Sequence, residues 1–100
     1  MSAYVVVHYD QIHDSASLDR YRALAAPSVA AFGGRYIVRG DVTKIAVEGD
    51  WAPRFVVIIE FADLATAQGW YRSEAYAPAL ALRGTAGPRV LTIIEGVSAS

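Results

Sequence analysis

Apolar residues recur with a period of two in some runs of this chain and with a helical period in the stretches between them. Ala3 to Tyr9 is β-branched and aromatic and predicts a strand. DSASLDRYRALAAPSVAAFGG is helical by spacing, with Leu18, Tyr21, Ala25 and Phe32 on one apolar stripe. Asp14, Ser15 and Ser17 are candidate N-caps, Gly33-Gly34 supplies a left-handed stop, and Pro27 is expected to kink or divide the helix. GRYIVRGDVTKIAVEG predicts a long strand with a bulge at Gly40-Asp41, after which DWAPR turns the chain into the strand RFVVIIEF. Asp63 then caps LATAQGWYR, Ser73 makes a corner into the short helical piece EAYAPALALR, and Gly84 and Gly87-Pro88 release the chain into RVLTIIEG. The predicted order is β-α-β-β-α-β.

Splitting the strands by their period of two gives two faces. One holds Val5, Val7 and Tyr9; Tyr36 and Val38; Phe55, Val57, Ile59 and Phe61; and Val90, Thr92 and Ile94, and is assigned to the helices. The other holds Tyr4, Val6 and His8, Ile37 and Arg39, Val56, Ile58 and Glu60, and Leu91, Ile93 and Glu95. It too is largely apolar, although the free face of an antiparallel sheet ordinarily turns polar. Leaving its aliphatics wet would forgo roughly 1.5 to 3 kcal/mol per side chain and create a sticky patch. No spare segment can cover it, so the expected cover is the same face of a second copy, a two-fold homodimer.

Length and composition narrow the class. The chain has 100 residues, 54% of them hydrophobic, which predicts one domain over residues 1–96 and a short polar tail over 97–100. Nine Lys and Arg nearly cancel ten Asp and Glu and form no basic stripe, which argues against nucleic acid as a partner. There is no cysteine, and no apolar run approaches the roughly 20 residues of a membrane span. The expected setting is cytoplasmic, without a membrane.

Candidate chemistry lies in two places. Trp70, Tyr71, Tyr76 and Arg83 combine aromatic rings, polar tips and a cation, the materials of a pocket for a flat, partly anionic or phenolic molecule. At the ends of the sheet, Glu60 and Glu95 are expected beside Tyr4, and His8 and Asp10 near Arg54 and Arg89. A bulge at Gly40 would bring Arg39 level with Glu60. His8 and Glu60 are then the candidate proton carriers and Arg39 or Arg83 the anion holder. The same rings can equally be core, and an Arg39–Glu60 pair can be purely structural. Trp51 is either a loop anchor or a cover for a neighbouring subunit. His8, Asp10 and His13 crowd one strand end and are not read as a metal site, RGD at 39–41 falls inside a predicted strand, and no cofactor is expected.

The ordered segments YIVRGD, VEGDW, VVIIEF, WYRSEAYAPALALR and VLTIIEG, with Gly33-Gly34, resemble the small bacterial family labelled domain of unknown function 1330. The resemblance runs from Tyr4 to Gly96 and departs from the family pattern at Asp41, where a second glycine is more usual. It implies an α+β, ferredoxin-like β-α-β-β-α-β sandwich with a four-stranded antiparallel sheet, forming a dimeric α/β barrel. It also implies a homodimer with a cavity between sheet and helices, and no settled reaction. The wider superfamily includes cofactor-free oxygenases, small isomerases and haem enzymes, so fold alone does not choose among them. Two readings follow: a homodimeric binding protein or cofactor-free enzyme for a small aromatic, carbonyl or carboxylate compound, and a non-catalytic module whose dimer is the functional unit.

Overall fold

A computed structural model describes residues 1–97; Ser98 to Ser100, most of the expected tail, lie outside the described residues. The elements are β1 (Ala3–Tyr9), α1 (Ser15–Ala31), β2 (Arg35–Asp41), β3 (Phe55–Phe61), α2 (Leu64–Tyr71), α3 (Ala77–Leu80) and β4 (Arg89–Glu95). The strands form one antiparallel sheet in the order β2-β3-β1-β4, the expected split β-α-β arrangement. β2 and β4 are its free edges, so no barrel closes within one chain.

Local chemistry fixes the element ends. The Asp14 carboxylate accepts from the backbone N–H groups of Ala16 and Ser17 and from the Ser17 hydroxyl, which satisfies donors that the first turn of α1 cannot pair internally. α1 runs through Pro27 as one helix, so of the expected kink or division the division does not occur, and it ends where Gly33 turns left-handed at φ 71°. Asp63 caps α2 through the Thr66 N–H at 2.7 Å. At Ser73 the hydroxyl donates to the Trp70 carbonyl and accepts from the Tyr76 N–H, which makes the expected corner between α2 and α3.

The second strand differs from its prediction. β2 stops at Asp41, whose carboxylate accepts from Thr43 and starts a single 3-10 turn, Val42–Lys44. The bulge lies at Ile37, between the Tyr36–Ile59 and Val38–Ile58 pairs, and not at Gly40. One extra residue inverts every side chain beyond it, so Val38 turns to the open face and Arg39, opposite Val57, turns to the helix face. β4 is inverted as well. Ile93 and Leu91 lie opposite Val5 and Val7 and pack on the core, whereas Val90 and Ile94 are 61% and 58% exposed. Both alternating sets of β4 are nearly all apolar, so its period alone could not choose a face.

The core lies between sheet and helices, where Val5, Val29, Phe61, Trp70 and Tyr76 are the largest sealed side chains. The opposite face is bare and carries Val6, Val38, Val56, Ile58, Val90 and Ile94. Its membership changes from the expectation, but its apolar character does not.

Candidate functional site

The helix layer does not fill all the space above the sheet. On α1, Leu18, Tyr21, Arg22, Ala25 and Ala26 fall at spacings of three, four, seven and eight from Leu18 and so present one flank to the strands. The two alanines leave room where larger side chains would close the gap. The result is a cavity of about 120 Å³ between α1 and the sheet, into which Tyr9, Tyr36, Arg39 and Arg89 project from the strands and whose floor includes Trp70. An enclosed apolar hole of roughly 150 Å³ accommodates benzene, so this smaller space, open to solvent on the side of exposed Arg39, takes at most a single ring whose substituent stays at the mouth.

The electrostatics of this cavity are one-sided. Three guanidiniums line it, those of Arg22, Arg39 and Arg89, and no carboxylate does. Arg22 has a single, long contact of 3.9 Å to Asp19 on exposed helix surface and lies over the Phe55 ring, and Arg39 lies 4.2 Å from the centre of the Tyr36 ring. Arg89 is half-buried and, among the described residues, has no ionic partner. Its N–H groups donate instead to phenols, to Tyr76 at 3.2 Å and weakly to Tyr9 at 3.4 Å, and its head lies 4.6 Å from the centre of the Tyr21 ring. Burial works against the Arg89 charge, but the Tyr21 and Tyr76 oxygens outweigh it and hold its pKa above the ordinary arginine value. Burial pushes the Tyr21 phenol far up, with Arg89 opposing, and raises Tyr36 as well. Both are therefore neutral hydroxyls at physiological pH.

The residues singled out from sequence divide into distinct groups. Trp70 and Tyr76 are fully buried, their rings 4.2 Å apart, and Tyr71 packs against both. The Trp70 indole N–H donates to Ser28 Oγ, so its polar tip is already satisfied. Arg83 is exposed and donates to the Leu80 carbonyl, outside the cavity. Arg39 joins the cavity, but not through Glu60: the residue opposite Glu60 is Arg35, with both Nε and Nη2 at 2.8 Å from Oε1, because the ladder starts at Asp41 opposite Phe55 and leaves residues 42–54 outside it. That Arg35 hydrogen bond holds the Glu60 carboxyl below its usual range, with Tyr4 contributing at 3.3 Å. Glu60 and His8 both lie on the open face, four residues apart along the β1 register and thus separated by roughly 13 Å. The structure does not bring them to each other or to the cavity.

His8 stands edge-on to Trp51, whose indole donates to Asp10 at 2.8 Å, and His13 bonds to Gln11. Among the described residues, no cluster of three or more His, Asp or Glu could hold a metal ion. Sequence reasoning missed Tyr21, Tyr36 and Arg89 as cavity residues. Arg89 was detectable through its place opposite Tyr9, once β4 is paired antiparallel to β1.

With this geometry in view, the family model described as Domain of unknown function (DUF1330) matches residues 2–97. The chain belongs to the DUF1330 family. Comparison with curated proteins gives no match. Among solved structures, this DUF1330 chain is similar to a protein of unknown function from Rhodopseudomonas palustris, with 14% identity, a TM-score of 0.74, and 97% of this chain and 83% of the other covered. It is also similar to a dimeric ferredoxin-like protein of unknown function from Jannaschia sp. CCS1, with 11% identity, a TM-score of 0.65, and 96% and 100% covered. A third resembles it at 15% identity and a TM-score of 0.58, with 97% and 90% covered, and is described as a candidate antibiotic biosynthesis monooxygenase from Caulobacter crescentus CB15. At these identities the likeness shows the ferredoxin-like fold and nothing finer. Among the described residues, no helix is long and apolar enough to cross a membrane.

Proposed function

We propose that this protein is a homodimeric small-molecule-binding protein whose cavity between α1 and the sheet receives a small aromatic or carbonyl compound. The observation that carries this reading is that the cavity stays open while polar tips face it: Tyr21, Arg39 and Arg89 line free space, whereas a purely structural module would fill that space with the same rings. Tyr21 and Arg89 can both donate toward one ligand oxygen, the arrangement by which a site stabilises a carbonyl or developing oxyanion without a cofactor. Arg39, at the exposed edge, can close over the ligand.

The homodimer is part of the same proposal. The bare face with Val6, Val56, Ile58, Val90 and Ile94 is best covered by its own copy, and similar structures are described as dimeric. The alternative, a non-catalytic module, draws on Trp70 and Tyr76, which are packed and satisfied as core residues. Thermal-shift screening with single-ring phenols, aldehydes and carboxylates separates the two. A binding protein gains several degrees with at least one class, and a structural module with none.

A further inference from the structure

The charged groups around the cavity are one-sided in hydrogen bonding as well as in sign. Arg22, Arg39 and Arg89 can only donate, and no Asp, Glu, Asn or Gln side chain lines the space. The Ala25 carbonyl is taken by the Ser28 hydroxyl at 2.6 Å. What remains are phenol oxygens, and their direction can be worked out. Tyr76 is fully buried; its oxygen accepts from Arg89 and lies 2.7 Å from the Tyr21 oxygen. A sealed hydroxyl that already accepts from a guanidinium needs an acceptor for its own hydrogen, and Tyr21 Oη is the one in reach. Tyr76 therefore donates to Tyr21, and Tyr21 is left with its own hydrogen for the cavity that it lines.

We propose that the occupant is a small, planar anion that accepts hydrogen bonds and donates none, a carboxylate no larger than benzoate, held by the Arg89 guanidinium and the Tyr21 hydroxyl. This deepens the binding-site reading and rests on it. A half-buried guanidinium without an acid is costly to keep, and an incoming carboxylate supplies the missing charge in the planar, two-oxygen geometry that the guanidinium fork matches. Tyr21, Tyr36 and Trp70 supply aromatic wall for the rest of the molecule. A ligand ammonium would meet three guanidiniums and no acid and be refused by like charge, and a ligand amide would find only phenol oxygens to accept its N–H groups.

Titration calorimetry of the full chain with benzoate, benzamide, benzyl alcohol, benzylamine and inorganic phosphate tests the proposal. Benzoate is expected to bind at least about tenfold more tightly than benzamide or benzyl alcohol, with no heat from benzylamine and none from phosphate. Arg89→Met weakens benzoate about 10- to 100-fold and leaves benzyl alcohol unchanged, and Tyr21→Phe weakens benzoate about 3- to 10-fold. A thermal melt of each variant confirms its fold, and if Arg89→Met does not fold, Tyr21→Phe carries the test. Equal affinity for benzoate and benzyl alcohol, or phosphate binding as tightly as benzoate, overturns the carboxylate proposal and leaves the cavity a ligand site. No binding by any of the single-ring compounds overturns both.

Discussion

Arg89 and the phenols around it behave as one unit. The guanidinium stays charged because arginine is too basic to lose its proton at physiological pH, and the phenols beside it stay neutral because burial opposes their ionisation. A pH dependence follows for Tyr21 and Tyr36, whose folded values lie above the ordinary tyrosine value of 10.0. Below pH 10 folded and unfolded chains hold these protons equally, so their contribution to stability is full. As pH rises above 10 the unfolded chain releases them first, and stability falls until the raised folded values are passed. Spectrophotometric titration checks this: part of the tyrosine absorbance change should be delayed until unfolding, and Tyr21→Phe should remove the latest step. A single titration of all six tyrosines near pH 10 in the folded protein would contradict it. None of this was legible in the sequence, where Tyr21 reads as an apolar stripe residue and its environment depends on Tyr76, which lies 55 positions away.

The elements were far more legible than their faces. Asp14, Asp63, Ser73 and Gly33 announce their roles because capping and left-handed turns depend on a residue and its immediate neighbours. Strand faces depend on pairing, and where both alternating sets are apolar, as in β4, or a bulge resets the count, as at Ile37, the period carries no decision. The segment that fixes β4 is Ala86 to Pro88, stitched to the end of β1 by Asp10 N–H to Pro88 O and His13 N–H to Ala86 O. Gly87 within it has φ 150°, and a Cβ there would overlap the Gln11 carbonyl. Gly87→Ala is therefore expected to cost upward of about 2 kcal/mol in denaturant unfolding. An unchanged midpoint would show that this stitch does not set the position of Arg89.

At the scale of the molecule, the sheet has two faces with different work. The helix face holds the cavity and its arginines, and the bare face holds aliphatics in the middle of β1 and β3, where a charge should be least tolerable. Ile58→Lys is expected to convert a dimer to a monomer in sedimentation velocity at micromolar concentration, and an unchanged sedimentation coefficient would move the contact elsewhere. The cavity lies within one subunit, so ligand binding should register on it alone. The most direct measurement is an NMR titration of the isotope-labelled wild type with benzoate. Shift changes are expected to gather at Tyr21, Tyr36, Arg39 and the Arg89 guanidinium, with Val56, Ile58 and Val90 unmoved; no change, or changes confined to the bare face, would contradict a ligand site between α1 and the sheet.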